Sequence, residues 1–235
     1  MYKTELHIHT RYSKDSILAY WVLILFLKIK KINTVAITDH NEIAGAIKYK
    51  KKFEKHGINL IIGEEIFTNK GEIIGLGLKE KIEPDQSPES TIAQIKQQGG
   101  IVYVPHPYDE KRYKTVLEES AIAKNRNKID LIEVHNGRNI SKDFSKKQEE
   151  IAKKYGIRPI VGSDAHTFFE LGRNYISTEK IITADNLVKE AKNATFSKKQ
   201  CISFAHKWTR FARIVNIIKK GDKNELHRVV NKRRS

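Results

Sequence analysis

Short β-rich runs alternate with helix-like stretches along most of the chain, and this alternation restricts the fold more than any other feature. Strand composition occurs in about seven runs, at residues 4–8, 34–38, 60–66, 72–78, 101–104, 129–134 and 159–162. Helical composition and spacing occur between most of them, at residues 28–31, 44–55, 90–98, 141–155 and 185–193. Alternating β and α units predict an α/β protein whose parallel sheet is either open or closed into a barrel.

Polar side chains that can bind metal ions follow the predicted strands at their carboxyl ends. These side chains are His7, His9, Asp39, His40, Glu65, His106, Asp164 and His166. In a closed α/β barrel the carboxyl ends of the strands meet at one rim, where side chains from many strands reach a common point. In an open sheet the outermost strands lie too far apart for this. The pattern therefore favours the closed barrel.

Two of these strand ends carry pairs of polar side chains spaced two residues apart. His7 and His9 point to the same face of a strand, and Asp164 and His166 repeat the spacing after another strand. Burying so many titratable groups without partners is unfavourable, and coordination to divalent cations removes that cost. The pairs therefore predict a metal site.

Several segments together resemble a known family. LHIHTRYSKDS, AITDHNEI, GEEI, VPHP and GSDAH are similar, in this order, to the motifs of the PHP (polymerase and histidinol phosphatase) superfamily. GEIIGLGL, EVHNGR and SDAHTFFELG are similar to its small standalone phosphoesterases. The resemblance covers about residues 4–176. It implies a distorted (β/α)7 TIM-like barrel that binds two to three divalent metal ions, either manganese, iron, magnesium or zinc.

The resemblance also implies which residues hold the ions. The first ion is expected on His7, His9, Glu65 and Asp164, with Glu65 bridging to the second ion. His106 is expected to bind the second ion, together with Glu72, which stands where many relatives have a histidine; this change favours harder ions. The third ion is expected on Asp15, His40 and His166. Glu65 is preferred over its neighbour Glu64 because it precedes Ile66 as in the motif, and an exchange of the two is the alternative.

The activity implied is hydrolysis of phosphate esters by a metal-activated hydroxide. The expected catalytic residues are His7, His9, Glu65, Asp164 and His166. Arg112 and Arg138 are candidates for binding the substrate phosphate, since guanidinium groups suit phosphate oxygens. His135 is either structural or a substrate group, and Asp39 is expected to support a ligand or a loop.

Nucleotides or the ends of oligonucleotides are the favoured substrates, and histidinol phosphate or another small phosphorylated metabolite is the alternative. An amidohydrolase-type barrel that cleaves C–N bonds also opens with an HxH strand, but no lysine stands at a suitable strand end for the carboxylated lysine of that site. A further alternative is an inactive barrel that serves as a nucleic-acid-binding module.

The positive charge of the chain is concentrated at its C-terminal end. The 235 residues carry a net charge of +16, and residues 198–235 contribute +10 of it. We therefore predict a PHP-type barrel over residues 1–197 and a basic helical extension over residues 198–235 that packs on the barrel. Its apolar side chains are expected to face the barrel: Phe204, Trp208, Phe211, Ile214, Val215 and Ile218. Its basic residues either form a solvated face or guide nucleic acid to the site.

Two further features bear on location and assembly. The single cysteine, Cys201, excludes an intramolecular disulfide framework and favours a reducing, cytoplasmic compartment. The apolar run at residues 17–29 is short for a membrane span and predicts a buried helix covered on more than one face; insertion into a membrane and a subunit interface are the alternatives. No membrane partner is expected, and the sequence leaves the oligomeric state open.

Overall fold

A computed structural model describes residues 1–200 and 204–220 of the chain. Within these ranges nine strands form: β1 (Tyr2–Ile8), β2 (Thr34–Ile37), β3 (Asn59–Thr68), β4 (Gly71–Leu76), β5 (Ile101–Val104), β6 (Leu131–Asn136), β7 (Arg158–Gly162), β8 (Tyr175–Thr178) and β9 (Thr195–Ser197). The seven α-helices within them are α1 (Tyr20–Ile29), α2 (Ala44–Lys55), α3 (Pro88–Gln97), α4 (Glu119–Asn125), α5 (Lys142–Tyr155), α6 (Leu187–Glu190) and α7 (Ala205–Lys220).

The strands form one curled sheet in the order β7-β6-β5-β4-β3-β2-β1-β8-β9. Neighbouring strands from β1 to β3 and from β5 to β7 are parallel. The segment after β7 closes the gap to β1, because Ala165 bridges to Ile8 and the N–H of His9 donates to the carbonyl of Ala165 at 2.8 Å. The sheet is thus a nearly closed barrel, and the predicted distorted (β/α)7 barrel is confirmed.

Strand β4 runs opposite to its neighbours, which differs from an uninterrupted series of parallel βα units. It forms a hairpin with β3 in which Phe67 pairs with Glu72, and it is also antiparallel to β5. Because β4 runs away from the rim, its first residues lie beside the carboxyl ends of the parallel strands. Glu72 therefore reaches the same rim as Glu65 and His40, whose backbones form a bridge.

Two apolar clusters hold the barrel strands against the helices. The larger cluster joins β3 to β7 with α3, α4 and α5, through side chains such as Ile92, Ile95 and Ile122. The smaller cluster packs α1 and α2 on β1 and β2, through Leu23 and Phe53. Each fully buried aliphatic or aromatic side chain contributes about 1.5–3 kcal/mol. The rim is therefore carried by a well-packed scaffold.

Helix α1 is covered on one face, so the prediction of a helix buried on several faces was wrong for the described chain. Leu23, Ile24 and Leu27 are buried against the barrel, whereas Trp21 is 62% and Leu25 51% exposed. No second layer of the described chain packs over this outer face. Among the described residues, no helix combines the length and the hydropathy needed to cross a bilayer.

Helix α7 lies within the predicted C-terminal extension, and only part of its predicted apolar face is covered. Of the six side chains expected to pack inward, Trp208, Ile214 and Val215 are half-buried, whereas Phe204, Phe211 and Ile218 are 51%, 51% and 59% exposed. The buried side is formed by Ile217 and by small side chains, of which Ala212 is fully buried. Small residues allow close approach, so that polar neighbours on α7 can form hydrogen bonds to the barrel. The basic residues 221–235, including Arg228 and Arg234, lie outside the described residues, and the domain division at residue 197 stays a prediction.

Candidate metal centre

All nine predicted metal ligands lie in one cluster at the rim of the barrel. His7 and His9 place their Nε2 atoms 3.4 and 3.3 Å from the carboxylate of Glu65. The Nε2 of His9 is also 3.4 Å from Oδ1 of Asp164. Because β1 supplies both histidines from one face, as the two-residue spacing predicts, this quartet converges from three separate segments of the chain.

A second group lies on the other side of Glu65. The Nε2 of His106 is 3.0 Å from Oε1 of Glu65 and 3.5 Å from Glu72. The Nδ1 of His40 is 3.1 Å from Oε2 of Glu65 and 3.5 Å from Glu72. Glu65 is therefore central, since each of its oxygens faces two imidazole rings. Glu72 occupies the position at which the resemblance implies a histidine in many relatives.

The third group contains Asp15 and His166. The Nε2 of His166 is 3.1 Å from Asp15, and the Nε2 of His40 is 3.6 Å from the same carboxylate. His40 thus contacts both the second and the third group, instead of the third alone. The expected three groups form a continuous cluster of imidazole and carboxylate ligands.

The donor atoms of this cluster suit divalent cations. Among the described residues, the Nε2 atoms of His7, His9 and His166 and Oδ1 of Asp15 are buried without a hydrogen-bond partner. Three sets of ligand atoms lie within 4.8 Å of one another: His7, His9 and Glu65; His9, His40 and His166; His40, Glu65 and Glu72. Buried polar atoms without partners are costly, and imidazole nitrogen with carboxylate oxygen is a donor set that manganese, iron and zinc accept.

The carboxylates in the cluster have strongly perturbed pKa values. Burial and the repulsion of Glu65 raise the pKa of Glu72 to about 7. Burial also acts on Glu65, but attraction from His7 and His40 holds its pKa well below the usual range. Burial opposes ionisation of Asp164 as well, and Arg112 and His7 outweigh it so that its pKa is far below normal. A bound cation would relieve the unfavourable crowding of these negative charges.

Two ligands have backbones in the left-handed region, which is unfavourable for residues other than glycine. His106 has φ of 27° and Asp164 has φ of 52°. Strained backbone of this kind persists where the surrounding structure enforces it, and it concentrates at functional sites. Here it accompanies side chains that point into the cluster directly after β5 and β7.

Glu133 positions two of the predicted ligands, His7 and His106, a role that the sequence analysis missed. Its carboxylate accepts a hydrogen bond from Nδ1 of His7 at 3.1 Å and from the N–H of His106 at 2.7 Å, and it also contacts the hydroxyl of Tyr103. The Nδ1 contact leaves Nε2 of His7 directed at Glu65. A carboxylate between the apolar residues Ile132 and Val134 of a predicted strand was the available signal.

Gly162 makes room for this arrangement. A Cβ atom at this position would lie 1.9 Å from Oε1 of Glu133 and 2.9 Å from the Cβ of His7. Any side chain there would separate the carboxylate from the imidazole. The glycine is therefore required by the close approach of two functional side chains.

Asp39 plays a supporting role for a second ligand, as the sequence analysis expected. It accepts hydrogen bonds from the hydroxyl of Ser13 at 2.8 Å and from the N–H of Thr10 at 2.6 Å. The Ser13 hydroxyl lies 3.1 Å from Nδ1 of His9, so that Asp39 orients His9 through Ser13. Polar contacts of this kind fix the ring and its tautomer.

Two other singled-out residues, Glu64 and His135, lie apart from the cluster. Glu64 points away from it and accepts a hydrogen bond from the N–H of Ile82 at 2.9 Å. His135 contacts the Ser145 hydroxyl at 2.8 Å, which favours its structural interpretation. The structure therefore brings Glu65, and not Glu64, to the ligands.

Both predicted phosphate-binding arginines line a cavity of about 490 Å³ next to the cluster. Arg112 donates to Oδ2 of Asp164 at 2.5 Å, leaving Oδ1 directed at the histidines. Arg138 is buried, donates to the hydroxyl of Thr209 at 2.7 Å and lies 3.5 Å from Glu170. Arg138 therefore also connects the rim to α7. Lys111 and Lys114, which the sequence analysis did not single out, add positive charge to the same cavity.

Replacing Glu133 with glutamine is expected to weaken metal binding or turnover by about 10–100-fold, because the amide no longer fixes His7 by charge. The measurement is metal titration together with kcat, and the unfolding temperature of the metal-free protein serves as a check on folding. Tyr103→Phe keeps the His7 contact and should have a much smaller effect. Equal losses in the two variants would mean that packing, not orientation of His7, is the function of Glu133.

Comparison with known proteins agrees with the motifs. The family model described as "PHP domain" matches residues 5–134, and the model described as "PHP-associated" matches residues 145–196. An uncharacterized protein of Methanocaldococcus jannaschii is 36% identical over 184 residues, which cover 76% of this chain and 71% of the relative. A protein of Clostridium botulinum named "Probable phosphatase" is 38% identical over 79 residues, covering 32% of this chain and 30% of its own length.

A solved structure shares the fold. It is a two-domain protein of Bacteroides vulgatus described as containing a predicted PHP-like metal-dependent phosphoesterase. The match has a TM-score of 0.68 at 16% identity, and it covers 84% of this chain and 64% of that protein. At this identity the similarity supports the barrel architecture and nothing finer.

Proposed function

Because the chain belongs to the PHP domain family, we propose that it is a metal-dependent phosphoesterase. The observation that carries the proposal is the cluster of nine imidazole and carboxylate side chains at the rim, in which the buried Nε2 atoms of His7, His9 and His166 have no hydrogen-bond partner in the described chain. Such a ligand set next to a basic cavity suits a negatively charged substrate. The names of the Clostridium relative and of the Bacteroides structure agree with this class of reaction.

We assign the proposed ligands to the ions as the family resemblance implies, although His40 contacts both the second and the third group. His7, His9, Glu65 and Asp164 would hold one ion, His106 and Glu72 with Glu65 a second, and Asp15, His40 and His166 a third. Bound divalent ions supply a hydroxide nucleophile at neutral pH and neutralise the phosphoryl oxygens and the leaving oxygen. Two to three ions fit this set, and the carboxylate of Glu72 favours manganese, iron or magnesium over zinc.

The residues around the ligands would bind and orient the ester. Arg112 lies against Asp164 with 22% of its side chain exposed, so its guanidinium can reach both a ligand and a phosphoryl oxygen. Lys111 and Lys114 raise the local concentration of anions in the cavity. Glu133 and the Asp39–Ser13 pair hold the histidines in place.

Nucleotides or the ends of oligonucleotides are the proposed substrates. A second cavity of about 510 Å³ adjoins the first beside the cluster, and Tyr12, Phe67 and Asn41 are among its lining residues. Aromatic and amide side chains suit a nucleobase, which stacks and forms hydrogen bonds. Contact between nucleic acid and the basic residues 222–235, which lie outside the described residues, stays a prediction.

The test is phosphate release by protein loaded with manganese, iron(II), magnesium or zinc. Substrates should include nucleoside monophosphates, 3′,5′-bisphosphates, short RNAs and amino-alcohol phosphates. We expect metal-dependent release that chelation abolishes and that forms no phosphoenzyme. A covalent phosphorylated side chain would refute the mechanism, and selective hydrolysis of amino-alcohol phosphates would replace nucleotides with a small metabolite as the substrate. Absence of release from every substrate by fully loaded protein would contradict the proposed activity.

A further inference from the structure

The two cavities beside the metal centre are arms of one cleft. Both are lined by Asp15, His40, Glu72 and Thr115, and both are also lined by Arg213. The first four residues belong to the barrel, and three of them are proposed metal ligands. Arg213 comes from α7, beyond residue 196, where the match to the family models ends. A side chain from outside the matched segments thus stands where the two arms meet over the metal centre.

Contacts at both edges of the cleft hold α7 in position. On one side, Arg138 donates to the Thr209 hydroxyl at 2.7 Å. On the other side, the amide of Asn216 donates to the carbonyl oxygens of Lys14 and Ser16 at 3.1 and 3.0 Å. These two carbonyls flank Asp15. Between the anchors Ala212 is fully buried, so the backbone of the helix lies close to the barrel.

The anchoring contacts of Thr209 and Asn216 determine the position of Arg213. Arg213 directly follows Ala212, and its position relative to Asp15 is set by the Asn216 contacts on the same helix, one turn further on. The guanidinium carries a permanent charge and a planar set of donors that matches phosphate oxygens. The arms differ in chemistry, since one carries Lys111 and Lys114 and the other carries Tyr12 and Phe67. The phosphoryl group of a substrate that extends into both arms lies at their junction.

We propose that α7 completes the active site and that Arg213 binds a phosphoryl oxygen of the substrate at the junction of the two arms. This inference rests on the proposed phosphoesterase function and adds a specificity-determining residue to it. The C-terminal extension then acts through a short, anchored part of its helix, in addition to any effect of its overall charge. Because Arg213 contacts the phosphoryl group itself, its removal should affect small and large esters by similar factors.

The experiment compares Arg213→Gln and Arg213→Lys with Lys207→Gln. Lys207 is an exposed cation on the same helix and lines neither cavity. Binding of inorganic phosphate to the manganese-loaded proteins is measured by calorimetry, and kcat/KM is measured with p-nitrophenyl phosphate and with a dinucleotide. We expect Arg213→Gln to weaken phosphate binding about tenfold or more with unchanged metal content, Arg213→Lys to lie in between, and Lys207→Gln to match the wild type.

A second variant tests the anchor without replacing a cation of the cleft. Thr209→Val removes the acceptor for Arg138 while keeping the size of the side chain, and it should weaken phosphate binding because α7 is less well positioned. The inference is overturned if Arg213→Gln keeps its full metal content and binds phosphate as tightly as the wild type. It is also overturned if kcat/KM falls for the dinucleotide but not for p-nitrophenyl phosphate. If the wild-type protein hydrolyses no phosphate ester, the proposed function fails; if it does and Arg213→Gln equals it, this inference alone fails.

Discussion

Replacing Glu65 with glutamine is expected to remove both metal loading and phosphate release. One carboxylate oxygen of Glu65 faces His106 and His7, and the other faces His9 and His40 at 3.3 and 3.1 Å. A glutamine presents an N–H donor on one of these sides and carries no charge, so it cannot serve two ions. We expect a loss of activity on the order of 10³-fold or more, because the ions supply several kcal/mol of transition-state stabilisation. Metal analysis and initial rates under excess manganese measure the two effects.

Glu64→Gln is the matched control for this variant. Glu64 is the adjacent carboxylate, fully buried, and it accepts a hydrogen bond from the backbone of Ile82 outside the cluster. Burial raises its pKa to about 7, so that the neutral amide is a mild replacement near neutral pH. We expect this variant to keep its metal content and to lose activity by a few-fold at most. Equal effects of the two substitutions would refute the assignment of Glu65 as the bridging ligand.

Removing the metal ions is expected to lower the unfolding temperature by about 10 °C for each site that was occupied. A ligand present at about 1,000 times its dissociation constant stabilises the folded state by about 4 kcal/mol per site, and 1 kcal/mol shifts the midpoint by about 2–4 °C in a chain of this size. Thermal unfolding with and without a chelator measures the difference, and manganese should restore it. Glu65→Gln should show little response to the chelator.

Metal binding is also expected to depend on pH. Burial and Glu65 raise the pKa of Glu72 to about 7 in the absence of a cation, so Glu72 must release a proton before it can bind one. Metal affinity, and with it the stabilisation by metal, should therefore fall as the pH decreases below about 7. If the unfolding temperature at pH 8 does not change when the chelator is added, and less than one ion is bound per chain, the proposed metal centre is contradicted.

The clustering of four of the proposed metal ligands was accessible to sequence reasoning because its signal is local. His7, His9, Asp164 and His166 lie at two-residue spacings beside strands that their own composition predicts. A barrel rim then brings such positions together, whatever the details of the helices. The division of the ligands into groups was less accessible, since His40 reaches two groups through its two nitrogen atoms.

Features that depend on long-range geometry were missed or misplaced. The direction of β4 is decided by a tight turn at Asn69 and Lys70, and its composition is the same for either direction. Glu133 acquires its role only through pairing between β6 and its neighbours. In α7, the three- and four-residue spacing of large apolar side chains predicted the buried face only in part, because Ala212 makes the close contact and Phe204, Phe211 and Ile218 are exposed.

Closure of the barrel through Ala165 bears on how the protein is made. Asp164 and His166, which flank the closing bridge, follow His7 and His9 by about 150 residues and therefore leave the ribosome later. His7 and His9 can therefore meet Asp164 and His166 only after nearly the whole barrel has been synthesised. Contacts so distant in sequence form late and slowly. An ion held jointly by ligands on β1 and by ligands after β7 would favour closure of the barrel, so we expect metal supply during translation to affect how quickly the barrel closes.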